Sequence, residues 1–134
     1  MKIHALNESD LELLRKTAAL LKDRGSRISG VAAGLRTEAG REFYGLCIDA
    51  TTATVGICAE YSAIGAMVTA GEMKVTTIVA VVKGGRGFKS LPPCGKCRDL
   101  VRSFGNPYVI LPFGGRIEDS RKARLSDLMP HPWK

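Results

Sequence analysis

A mixed α/β fold, with helices packed on the faces of one sheet, is the class this sequence predicts. Three observations predict it. The patterns run helix, two strands joined by a turn, helix, strand, helix, strand. A hairpin followed by alternating strands and helices places antiparallel and parallel pairs in one sheet. The run from Val75 to Val82 is apolar apart from Thr76 and Thr77, which suits a strand covered on both sides. Finally, 134 residues, 45% hydrophobic and 25% charged, fit a single domain over residues 1–134. A chain of that size buries roughly two thirds of its unfolded surface and needs no disulfide staples. It contains no repeat, linker or low-complexity stretch.

The elements follow in order. Ser9 and Glu12 form a capping-box pattern, and Leu11, Leu14, Ala18 and Leu21 recur at helical spacing until Gly25. Residues 30–36 and 42–49 read as strands around a Glu38-Ala39-Gly40 turn. Residues 58–70 read as a helix; they are small or apolar after Glu60, which predicts burial on most sides. After the 75–82 strand, residues 84–89 read as a flexible glycine-rich loop ending at Pro92-Pro93. That loop lacks the Gly-Lys-Ser order of a phosphate loop, though Arg86 and Lys89 are the nearest upstream cations to the next motif. Residues 94–104 read as a second buried helix stopped by Gly105, and Tyr108–Leu111 as a strand. A turn at Gly114-Gly115 and a short helical turn from Leu125 to Met129 complete the chain, with room for one more short element.

The net charge of +7 is carried entirely by the second part. Residues 1–82 hold nine basic and nine acidic side chains, whereas residues 83–134 hold eleven and four. Such an excess suits either a nucleic-acid surface or a solubilising face. Phe88, Phe104, Tyr108, Phe113 and Trp133 are scattered and form no stacking ladder, which favours the solubilising face. No apolar run approaches the roughly 20 residues of a membrane span. The first ten residues carry Glu8 and Asp10 and have no apolar secretion core, so a cytoplasmic, reducing location is expected. Four cysteines in that setting point to metal binding or catalysis before disulfides.

Cys58-Ala59-Glu60 and Pro93-Cys94-Gly95-Lys96-Cys97 carry the chemistry. Cys94 and Cys97 are three residues apart at a helix start, so both thiols can reach one ion. Cys58 opens another helix, and two helix N-termini favour thiolate over thiol. Three cysteine ligands leave a fourth tetrahedral position open, the pattern of a catalytic zinc site. Glu60, two residues from a ligand, is placed to shuttle protons. Each piece has a plainer reading. A CxxC alone is often redox-active or structural, and a first-turn glutamate often only balances the helix dipole. Cys47 could close the site as a fourth ligand, although its strand position reads as a buried small apolar residue. The two motifs together, at two helix starts, favour the catalytic reading.

On these residues the chain resembles the cytidine deaminase superfamily, in its small all-cysteine branch, and within it the blasticidin S deaminases. Val31-Ala32-Ala33-Gly34-Leu35, Cys58-Ala59-Glu60, Ile78-Val79-Ala80-Val81, Pro93-Cys94-Gly95-Lys96-Cys97-Arg98 and Leu125-Ser126-Asp127-Leu128-Met129-Pro130 are the matching segments. The resemblance implies a three-layer α-β-α fold, a Zn²⁺ cofactor and a homotetramer. It implies hydrolytic removal of the amine from a small aminopyrimidine, a cytosine-containing nucleoside of the cytidine, deoxycytidine or blasticidin S type. Cys58, Cys94 and Cys97 would bind zinc, Glu60 would move protons, and backbone groups at Ala59 and Pro93 would hold the base edge. Cys47 and Asp49 stand where free-nucleoside enzymes of the family carry a ribose-gripping Asn and Glu. A thiol is a poor partner for a sugar hydroxyl, and Asp is one methylene shorter than Glu. Tyr61 replaces an arginine that often offsets the zinc–thiolate charge, leaving Arg98 to do so. Trp133 falls where the family often places an aromatic lid. The departures raise a free base or another amino-heterocycle as an alternative substrate. A zinc-stapled basic module docked on nucleic acid is the alternative of another class, and it leaves Glu60 without a purpose.

Overall fold

The computed structural model describes residues 1–85 and 87–133. Among them are three α-helices and seven strands in one mixed sheet. Helix α1 spans Glu8–Arg24. Its cap lies two residues before the expected Ser9–Glu12 pair. The Asp10 N–H donates to the Asn7 side chain at 2.9 Å, and the Asn7 N–H donates to the Asp10 carboxylate at 3.0 Å. Asn is as good an N-cap as Ser, and Asp10 closes the box from the same offset. Glu12 is left to pair with Lys16 one turn on, at 3.0 Å. At the far end the Gly25 N–H reaches the Leu21 carbonyl at 2.8 Å.

Strands β1 (His4–Ala5), β2 (Val31–Thr37), β3 (Glu42–Leu46), β4 (Val75–Gly84), β5 (Gly87–Leu91), β6 (Tyr108–Leu111) and β7 (Arg121–Arg124) are ordered β1-β7-β6-β4-β2-β3, with β5 alongside β4. Among the described strands β4 and β6 run parallel, through Thr77↔Tyr108 and Ile78↔Val109, and the other pairs are antiparallel. Side-chain alternation divides the core in two. Ala32, Val79, Val81 and Ile110 pack against Leu13, Leu14 and Leu21 of α1. Ala33, Leu35, Ile78, Val109 and Leu111 pack on the opposite side. That side is covered by α2 (Ala59–Thr69) and α3 (Gly95–Arg102), so the sheet is the middle of three layers. Burying a side chain such as Leu13, fully sequestered here, stabilises the fold by about 2 kcal/mol.

Neither helix of the second layer is buried on most sides as expected. In α2 the buried residues are Ala59, Glu60, Ala63, Ile64 and Met67, one stripe at helical spacing. Gly65, Ala66, Val68 and Thr69 face outward although none is charged. In α3 only Cys97 and Val101 are buried. The inner stripe of α2 lies very close to the sheet. A Cβ added at Gly45 of β3 would fall 2.5 Å from the Ser62 Cβ and against the Ala63 nitrogen, so glycine is required by space alone. No described helix is long and apolar enough to cross a membrane.

The glycine-rich segment expected to be a flexible loop is a hairpin instead. Strand β5 pairs with β4 from Ala80↔Leu91 to Gly84↔Gly87. Gly85 and Gly87 have positive φ, so the glycines serve the turn. Arg86, named with Lys89 in that segment, lies outside the described residues. Strand β7, with the sequence Arg-Lys-Ala-Arg, has only Ala123 fully buried. It is tied to α1 by an ion pair: the Lys122 ammonium donates to the Asp10 carboxylate at 2.6 Å, with side chains 12% and 3% exposed. Removing one partner of such a pair leaves an uncompensated charge in the interior. Asp10→Ala should therefore cost about 3 kcal/mol or more, read from urea unfolding. A loss under about 1 kcal/mol would mean that the pair contributes no more than a surface one.

Candidate zinc site

Cys58 and Cys94 occupy the same local position. Each is the N-cap residue of its helix, with extended backbone at φ −67° and ψ 151° for Cys58 and φ −67° and ψ 168° for Cys94. Cys58 follows Ile57, which is fixed by a bridge to Ile48 at the end of the β2–β3 hairpin. Cys94 follows Pro92-Pro93, whose rings lock two φ angles and leave no backbone N–H just before the helix. Cys97 is the third residue of α3 and is buried. The Sγ atoms of Cys58, Cys94 and Cys97 all lie within 4.8 Å of one another. Three sulfurs around a tetrahedral zinc, each bonded at about 2.3 Å, stand about 3.8 Å apart. The sulfur cluster and its donor chemistry therefore fit zinc.

The thiols are not equivalent. Burial pushes Cys94 up, but the N–H groups of Cys97 and Lys96 and the neighbouring thiols outweigh it, and Cys94 sits below the ordinary thiol range. Burial holds Cys58 above that range, and burial with the nearby Glu60 charge holds Cys97 well above it. Metal binding by the set accordingly releases protons. Glu60, in the first turn of α2, is only 6% exposed. Burial raises its carboxyl above the ordinary glutamate value, against the opposing pull of its own N–H and the Cys97 thiol. A carboxyl raised in this way holds and returns a proton closer to neutral pH.

The three cysteines and Glu60 open onto a cavity of about 890 Å³. Cys47, Asp49 and Ala59 line it as well. The buried Cys47 accepts a hydrogen bond at Sγ from the Val31 N–H at 3.3 Å and lies outside the sulfur cluster, so the closed four-cysteine site does not form among the described residues. Two other residues singled out by sequence are placed elsewhere. Pro93 is buried and lines a small internal void beside Glu60. Trp133 is 83% exposed and borders a separate groove against Gly95, Lys96 and Asp99 of α3.

Pro92, Lys96 and Ile57 line the cavity without having been singled out. Ile57 and Lys96 each adjoin a cysteine of the motifs and Pro92 lies two residues before Cys94, which is the available signal. Lys96 is the one cation of the described lining, and its ammonium rests over the Tyr61 ring at 4.8 Å. Arg98, expected to balance the thiolates, directs its guanidinium to two carbonyls: Nε donates to Pro93 at 2.8 Å and Nη1 to Leu128 at 3.0 Å.

Residues 8–112 match the family described as the cytidine and deoxycytidylate deaminase zinc-binding region. The chain belongs to the cytidine and deoxycytidylate deaminase family. This deaminase is also similar to the blasticidin-S deaminase of Bacillus cereus, with 30% identity over 97% of the chain and 96% of the relative. Its fold is that of the cytidine deaminases of Bacillus anthracis and Mycobacterium leprae. The first superimposes with a TM-score of 0.77 at 24% identity, over 92% of this chain and 88% of the other. The second does so with a TM-score of 0.75 at 21% identity, over 94% and 100%. The family and the sulfur cluster together make the protein a zinc-dependent deaminase.

Proposed function

We propose that this deaminase hydrolyses the exocyclic amine of a cytosine-containing nucleoside, of the cytidine, deoxycytidine or blasticidin S type, to the uracil-type product and ammonia. The observation that carries the reading is the convergence of three thiols and a buried carboxyl on one cavity of about 890 Å³, room for a sugar or larger substituent beside the ring. The similarity to a blasticidin-S deaminase supports it.

Cys58, Cys94 and Cys97 hold the zinc, which when bound supplies the Lewis acidity that makes water nucleophilic near neutral pH. Glu60 accepts the proton of the attacking water and passes it to the ring nitrogen. Glu60 then takes the proton of the new hydroxyl and gives it to the amine as the carbon–nitrogen bond breaks, so that ammonia leaves and a carbonyl remains. The Ala59 backbone, which lines the cavity, holds the base edge, whereas the Pro93 carbonyl is taken by Arg98. Asp49 faces the sugar side as a hydrogen-bond acceptor, with Cys47 beside it. The enzyme acts in the reducing cytoplasm, where its thiols stay free.

The deaminase works as a homotetramer. The uncharged outer face of α2, with Gly65, Ala66 and Val68, and the exposed Ile48 and Ile57 near the cavity support this assembly. Light scattering should report four chains, and a monomer at micromolar concentration would reject it.

The activity is tested by ammonia release from cytidine, deoxycytidine, blasticidin S and cytosine with zinc-loaded protein. Release from at least one nucleoside, exceeding that from cytosine, is the expected result. Release from cytosine alone would transfer the reading to a free base. No release, with salt-dependent binding to RNA or DNA, would replace it with a nucleic-acid module.

A further inference from the structure

We infer that Arg98 is a positioning residue that aims the Cys94 thiol by holding the Pro93 carbonyl, and that it ties the C-terminal turn to the zinc site through the same guanidinium. The inference rests on Cys94 being a zinc ligand, as proposed above.

The argument begins with Pro92-Pro93. Both φ angles are fixed near −65° by the rings, and neither residue has an N–H to anchor it. The last backbone torsion before Cys94 is then ψ of Pro93, and that torsion turns the Pro93 carbonyl. Arg98 Nε holds that carbonyl at 2.8 Å. The Arg98 backbone N–H donates to the Cys94 carbonyl at 2.9 Å, so one residue brackets Cys94 from both sides. Nη1 of the same guanidinium holds the Leu128 carbonyl at 3.0 Å. Leu128 ends the short 3-10 turn Leu125–Leu128, whose Leu125 is buried and whose start is fixed by the bond from the Leu125 N–H to the Pro107 carbonyl at 2.9 Å. The turn is a fixed point from which the guanidinium can hold the proline loop. A rigid planar fork suits two carbonyls in different directions, and a lysine ammonium does not replace it.

The experiment compares Arg98→Gln and Arg98→Lys with the parent, using zinc-loaded protein and a colorimetric chelator that records the rate of zinc release. Partners that orient a metal ligand typically contribute 10- to 100-fold to metal affinity or activity. Zinc release from Arg98→Gln should accelerate by about 10- to 100-fold, and kcat should fall with KM little changed. Arg98→Lys keeps the charge, so if Arg98 only balanced the thiolates, this variant would behave as the parent. We expect it to release zinc at least about fivefold faster, within the same orienting effect. It also carries the test if Arg98→Gln does not fold. Release within twofold of the parent in the folded variants overturns the proposal, and so does a lowered melting temperature with unchanged release. A parent that binds no zinc, or a Cys94→Ala protein that keeps it, overturns the ligand assignment itself. Parental release in the Arg98 variants, with zinc lost in Cys94→Ala, removes only the role of Arg98.

Discussion

Glu60→Gln should lower turnover by at least roughly a hundredfold while zinc stays near one per chain. Glutamine has the shape of glutamate but cannot take a proton from water, and positioned acid–base groups contribute about 10²- to 10⁴-fold. The competing account makes Glu60 a counter-charge for the α2 dipole. That role is worth about 1 kcal/mol or less and belongs to an exposed side chain. Glu60 is 6% exposed and faces the cavity of the sulfur cluster, which favours the proton-transfer role. Elemental analysis and the deamination rate, measured on the same preparation, decide the matter. Unchanged turnover with normal zinc would remove Glu60 from the mechanism.

Cys94→Ala should lose the metal and the stability the metal confers. Cys94 is the suitable ligand to remove because it is exposed, so its loss costs little packing, whereas replacing the buried Cys97 would disturb the core as well. A ligand that binds only the folded chain stabilises it by about 2.7 kcal/mol when present at a hundred times its dissociation constant. Parent protein should therefore unfold at lower urea after chelation. The variant should unfold at that lower concentration with or without a chelator, and should carry little zinc. Full zinc and parental stability in Cys94→Ala would exclude Cys94 as a ligand.

The zinc motifs were legible because their chemistry is local. Two cysteines three residues apart at a helix start, and a Cys-x-Glu at another, constrain their own geometry. The apolar run of β4 and the α2 spacing were legible for the same reason, since periodicity is a short-range property. Strand β7 was not. Arg121-Lys122-Ala123-Arg124 has one apolar residue, and its pairing with β6 and its ion pair to Asp10 come from partners distant in sequence. The outward face of α2 was not legible, because uncharged residues suit burial inside the chain and burial against another chain equally. Resemblance aligns Pro93 and Trp133 with positions of the family, and an alignment does not say which groups of a residue face the cavity. The carbonyl partners of Arg98 could not be read either, because backbone acceptors leave no mark in a sequence.

The close approach at Gly45 bears on how far this enzyme can be reshaped by directed evolution. Position 45 does not itself line the cavity, although Cys47 two residues on does, so a library aimed at substrate range would pass over it. Yet any side chain there pushes against Ser62 and Ala63, in the helix that begins with Cys58 and Glu60. Saturating this codon would return only the parent residue. Its failed clones would look like metal-binding defects, although residue 45 itself never touches the metal.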